Sequence, residues 1–226
     1  MFENFLYAAL PYLAILFFFG GTLYRALSKH WTWSARGDYF WSSRSTGFFG
    51  RASIGPAAIT IHWGIIILFV THLGGLIGGA YGETWWVNQF FRWGGQAGGI
   101  LFLYGLIWAF IRRMFIKQVR YMSNADDFIT LILLIIITVL GLWQATVAQV
   151  WGISFSAGEW LGGILKLQPD PSLIAGAPLL NQLHIIFAML FFIYFPFSKM
   201  VHAASFPLVY LFRKFISLRP VGALKK

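Results

Sequence analysis

Five stretches of this chain run with almost no Asp, Glu, Lys or Arg, and they are apolar on every face rather than along a single stripe. Each is close to or beyond the roughly 20 residues that an α-helix needs to cross a bilayer. The pattern predicts spans over residues 5–24, 54–81, 93–111, 128–150 and 179–201. Strands of a membrane barrel alternate apolar and polar positions over about ten residues, and these runs do not alternate. The expected fold is therefore an all-α integral membrane protein, with residues 1–226 forming one membrane domain.

Composition agrees with that pattern. The chain is 58% hydrophobic and 11% charged, outside the range of soluble domains. A net charge of +10 raises nucleic acid as a partner, but the placement of the charge argues otherwise. With loops assigned alternately to the two sides, 15 of the 17 Lys and Arg residues fall on one side, leaving Arg92 and Lys166 on the other. The positive-inside rule makes the basic side cytoplasmic, which predicts an N-terminus outside and a C-terminus in the cytoplasm. The first span follows Glu3 without a basic leader, so it is expected to be retained.

The loops carry weaker signals. Residues 25–51 are rich in Trp, Ser and Arg and suit an interfacial position or a partner subunit. Residues 151–178 hold the Pro169, Asp170, Pro171 turn and suit a short cap. Trp85, Trp86, Trp93, Trp151 and Trp160 suit an aromatic belt at the outer headgroups.

Cysteine is absent, which excludes disulfides, thiolate-held iron–sulfur clusters and covalently attached c-type haem. Candidate chemistry then falls on histidine. Of the five histidines, His62 and His72 lie in the second span, and His184 and His202 lie in or at the end of the fifth, with His30 in a loop. Imidazoles at membrane depth are costly unless partnered. The second and fifth spans run antiparallel, so His62 shares the inner side with His202, and His72 shares the outer side with His184.

Two facing imidazoles without acidic or thiolate neighbours suit the axial positions of a haem iron, and two pairs suit two b-type haems stacked across the membrane. The pairs stand too far apart to converge on one tetrahedral zinc. Interhelical hydrogen bonding, or proton handling in a haem-free transporter or anchor, is the other reading. Helical rise separates His62 from His72 by about 15 Å and His184 from His202 by about 27 Å. Tilt or a break at Pro196 is needed to bring both pairs together. Gly74, Gly75, Gly78 and Gly79 offer room for a flat macrocycle or for close helix packing.

The segments around these histidines carry a resemblance. LPYLA from Leu10, WTWSAR from Trp31, HWGIIILFVTHLGG from His62, RRMFIKQVRYMSNADD from Arg112 and LHIIFAMLFFIYFPFSKMVHAASFPLVYLFRK from Leu183 resemble the gamma subunits of membrane-bound respiratory nitrate reductases. These are dihaem cytochromes b, and the resemblance covers nearly the whole chain. It implies axial ligation of an inner haem by His62 and His202 and of an outer haem by His72 and His184. Cytochrome b subunits of heterodisulfide reductases and of sulfite-reduction-associated complexes share the pattern.

On this reading quinol is oxidised near the outer haem, and electrons leave by the inner one to a cytoplasmic iron–sulfur partner beside a separate catalytic subunit. Where nitrate reductases carry an outer lysine associated with quinol, this chain reads VNQFFRWGG, which makes Gln89 and Arg92 the quinol-site candidates. Arg112 and Arg113 are candidates for haem propionates or simply set topology. Asp126 and Asp127 read as the acidic start of the fourth helix.

Overall fold

The computed structural model describes residues 2–27, 51–80, 89–152, 155 and 157–204. His30, Trp85 and Trp86 lie outside the described residues. Five long helices dominate: α1 (Phe2–Leu27), α2 (Arg51–Ala80), α3 (Gln89–Phe115), α4 (Ala125–Trp151) and α5 (Leu179–Tyr194). All five are long and apolar enough to cross a membrane, the fifth when the turn that follows it to Phe197 is counted with it.

The first, third and fourth extend beyond the predicted spans at both ends, and α2 does so at its start. Backbone hydrogen bonding continues into the polar flanks, where α3 takes in Arg112 and Arg113 and α4 begins at a capping box. There the Asn124 side chain accepts from Asp127 N, and Asn124 N donates back to the Asp127 carboxylate, satisfying two otherwise orphaned donors. Gly152, in the left-handed region at φ 68°, ends α4 where a Cβ would be strained.

The fifth span is shorter than expected as an α-helix. It stops at Tyr194 and passes through a 3-10 turn at Phe195–Phe197, an extended Ser198 and a second 3-10 turn at Lys199–Val201. Pro196 causes the stop, because it has no N–H to continue the ladder and its ring crowds the preceding turn. The carbonyl of Pro196 accepts from the Arg25 guanidinium of α1, and Gly21 lets α1 approach, since a Cβ there would stand 2.7 Å from the proline ring.

The helices pack in sequence, α2 on α3, α3 on α4, α4 on α5, with α1 closing against α5. The α2–α3 seam is tight: a Cβ on Gly64 would meet Phe102 N at 2.6 Å. Small residues are what let helix backbones approach this closely in a bilayer. By contrast, α2 and α5 barely approach each other among the described residues.

Residues after α4 form the expected cap, with short helices at Gly158–Leu165 and Ser172–Ala175. It joins Tyr7, Leu10, Ala14 and Met189 in one apolar cluster through Trp160, Ile164 and Ile174. Trp160 corrects the aromatic-belt expectation. It is 5% exposed and donates its indole N–H to the Tyr7 carbonyl at 2.8 Å, because burial requires a partner for that donor. Trp93 and Trp151 are exposed, as belt residues are.

Candidate electron-transfer site

The interval between α2 and α5 is where the four histidines meet. His62 faces His202 and His72 faces His184, each pair with ring centroids 6.4 Å apart, at interplanar angles of 53° and 25°. Helical rise alone would separate the α5 partners by far more than the α2 partners. Equal spacing at both ends follows from the break at Pro196, which redirects the chain before His202.

All four rings are oriented through Nδ1. His62 donates to the Ala58 carbonyl at 2.6 Å and His72 to the Leu68 carbonyl at 2.8 Å, both one turn back on their own helix. His184 reaches across to the Ile137 carbonyl on α4 at 3.0 Å, and His202 donates to the Lys199 carbonyl at 2.8 Å. A carbonyl only accepts, so each Nδ1 carries a proton, which in a neutral ring leaves the lone pair on Nε2. This is the tautomer that a metal-binding imidazole needs, with its other nitrogen fixed by a backbone oxygen.

The spacing supports the same use. A metal ion held between two such rings, with bonds of about 2.0–2.1 Å and about 1.2 Å from nitrogen to ring centre, would set the ring centres about 6.4 Å apart. The same distance keeps paired rings roughly 4 Å apart at their nearest atoms, beyond direct hydrogen bonding. The interhelical hydrogen bond expected of a bland membrane histidine does occur at His184, and it uses Nδ1 alone.

The surroundings add residues that the sequence did not single out. A Cβ on Gly141 of α4 would sit 3.0 Å from His184 Cε1. The glycine against the His184 ring is thus on α4, where the sequence did not single it out; the room expected at Gly74, Gly75, Gly78 and Gly79 is on α2. Gln144 lies one turn beyond Gly141 on the same helix, and its Nε2 is buried with no hydrogen-bond partner among the described residues. Gln96 Oε1 on α3 is in the same state, while Gln96 Nε2 donates to Thr146 at 3.5 Å. Glutamine within an apolar run is the signal that would have marked both. Gln89 opens α3 and Arg92 is half-buried in its first turn, at the end of the bundle that holds His72 and His184.

At the opposite end, Arg112 is buried and Arg113 reaches the Asp127 carboxylate at 3.2 Å. Asp127 is more than the start of a helix, since Lys199 Nζ also lies 2.8 Å from both its oxygens. Asp126 accepts from the Tyr194 hydroxyl, joining α4 to the end of α5.

A family model described as the nitrate reductase gamma subunit matches residues 3–221. The chain belongs to the nitrate reductase gamma subunit family. It is 28% identical over 224 residues to the nitrate reductase gamma chain of Bacillus subtilis, covering 95% of this chain and 96% of that one. Respiratory nitrate reductase 1 gamma chain of Escherichia coli is 28% identical over 200 residues, covering 81% and 85%. A component of the dihydromethanophenazine:CoB–CoM heterodisulfide reductase of Methanosarcina barkeri is 31% identical over 117 residues, 51% of this chain and 39% of that one. Membership of the gamma subunit family, with five helices of spanning length, makes this a multi-pass prokaryotic membrane protein whose relatives belong to an oxidoreductase complex.

Proposed function

We propose that this chain is a dihaem cytochrome b subunit that takes electrons from membrane quinol on the outer side and delivers them to an iron–sulfur partner on the cytoplasmic face of a nitrate-reductase-type complex. The observation that carries the reading is the equal 6.4 Å spacing of two histidine pairs, with all four Nδ1 atoms held by backbone carbonyls. His62 and His202 hold the inner haem b; His72 and His184 hold the outer one. A haem b at each position supplies a one-electron redox centre near each face of the membrane.

The chain's own residues do the rest. The backbone carbonyls fix the imidazoles, and the apolar helices exclude water between the two ends. Gln89 and Arg92 stand at the outer end, where a quinol hydroxyl needs polar partners. Arg112 and Arg113 stand at the inner end as the propionate candidates, Arg113 also paired with Asp127. The single domain is oriented with its N-terminus outside and its C-terminus in the cytoplasm of the inner membrane, so that the basic loops face an acidic iron–sulfur subunit. Reduction of nitrate takes place on a further, catalytic subunit.

A reduced-minus-oxidised spectrum with pyridine haemochrome quantification tests this directly. Two b haems per chain are expected, and a folded preparation without haem overturns the reading in favour of transport or anchoring. The Methanosarcina relative motivates a second reading, in which the partner reduces a disulfide or sulfur compound. Assay of the purified complex with nitrate against a heterodisulfide separates the two.

A further inference from the structure

His202 does not sit on the helix that carries His184. Three residues of 3-10 turn, an extended Ser198 and a second 3-10 turn intervene, so the regular ladder of α5 cannot fix its position. Something else must hold the Lys199–Val201 turn in place. Ser198 does part of this from within, as its hydroxyl accepts from Met200 N at 3.1 Å and donates to the Phe195 carbonyl at 2.9 Å.

The external hold comes from α4. Lys199 Nζ lies 2.8 Å from both oxygens of Asp127 and 3.4 Å from Asn124 Oδ1. Asp127 is 7% exposed, and its carboxylate also receives the Asn124 backbone N–H at 3.1 Å and Arg113 Nη2 at 3.2 Å. It is thereby fixed by its own helix start and by α3 before it engages Lys199. The same lysine accepts the His202 Nδ1 proton on its main-chain carbonyl at 2.8 Å. One residue therefore joins a buried carboxylate to the orienting hydrogen bond of a histidine.

We propose that Asp127 is a positioning residue for His202: through the Lys199 ammonium it holds the carbonyl that sets the ring's orientation, and so tunes the inner redox centre. This rests on the dihaem reading above. The capping role of Asp127 does not account for Lys199, because capping needs only the Asn124 contacts. A carboxylate–carbonyl–imidazole relay of this kind is the outer-shell control by which a protein sets ligand orientation and basicity.

The test is an EPR-monitored redox titration of the purified complex carrying Asp127→Asn, which keeps an acceptor for the Asn124 cap and removes the charge. Lys199→Met, which keeps the backbone carbonyl and removes the ammonium, is its companion. Signals are assigned to inner and outer centres with single histidine variants. Both variants are expected to shift the g-values and midpoint potential of the inner centre and leave the outer centre unchanged, with Asp127→Glu restoring part of the shift.

Wild-type signals from both centres in both variants overturn the proposal and leave the dihaem reading intact. Equal loss of both centres also overturns it, reducing Asp127 to a packing residue. Should Asp127→Asn fail to accumulate, Lys199→Met decides alone, since Asp127 keeps its Arg113 partner there. Absence of both signals from the wild-type complex overturns the dihaem reading and this inference with it.

Discussion

Gly141 faces the ring of His184 so closely that a Cβ at that position would stand 3.0 Å from Cε1 and 3.4 Å from Nδ1. The imidazole donates to the Ile137 carbonyl one turn back on the same helix, so a single added Cβ asks the ring to give by only a few tenths of an ångström, whereas a branched side chain asks for much more. Gly141→Ala is expected to be tolerated with a small spectral change. Gly141→Val should displace the ring and remove the outer haem while the inner haem remains, which haemochrome quantification against a resolved low-temperature spectrum will read.

The histidine pairs make the most direct prediction. His72→Ala or His184→Ala should leave one b haem per chain and abolish reduction by quinol. His62→Ala or His202→Ala should also leave one, still reducible by quinol but unable to pass electrons to the partner. Loss of both haems from any one change would contradict the pairing seen at 6.4 Å.

Gly64 provides the contrast with Gly141. A Cβ there meets backbone and Cβ atoms of Phe102 at 2.6–2.8 Å, and no side-chain rotation relieves a backbone clash. Gly64→Val should force α2 from α3 and carry His62 and His72 with it. Both haems should be lost together, with the complex aggregating on size-exclusion chromatography.

Asp127 is predicted to matter for stability as well as for tuning. Removing one partner of a fully buried ion pair costs about 3–5 kcal/mol. Lys199 and Arg113 keep 33% and 21% of their side-chain exposure, so water offsets part of the loss, and Asp127→Asn should cost roughly 2 kcal/mol. Thermal or denaturant melting in detergent will measure it, and no change would show that the three charges act independently.

Much of this was legible in the sequence because a bilayer makes polar exceptions conspicuous. Uninterrupted apolar runs gave the five helices, and histidines within two of them gave the pairs that the structure brings face to face. Pro196 marked where α5 had to break. Other features left no local trace. Asp126 and Asp127 read as a helix start, and nothing nearby indicates that Lys199, 72 residues on from Asp127, shares its carboxylate. Gly141 looks like any glycine of an apolar run until His184 arrives from another helix. Trp160 was misread because an indole suits a headgroup region and a buried donor equally well, and only the Tyr7 carbonyl decides between them.

The four Nδ1 bonds also divide two and two between support from the histidine's own helix and support that reaches α4. His62 and His72 lean on their own helix, so the backbone of α2 supplies both of those bonds as soon as it is helical. His184 leans on α4 directly, and His202 does so through Lys199 and Asp127. The orientation of His184 and His202 is therefore complete only once the chain after α4 has packed back onto it.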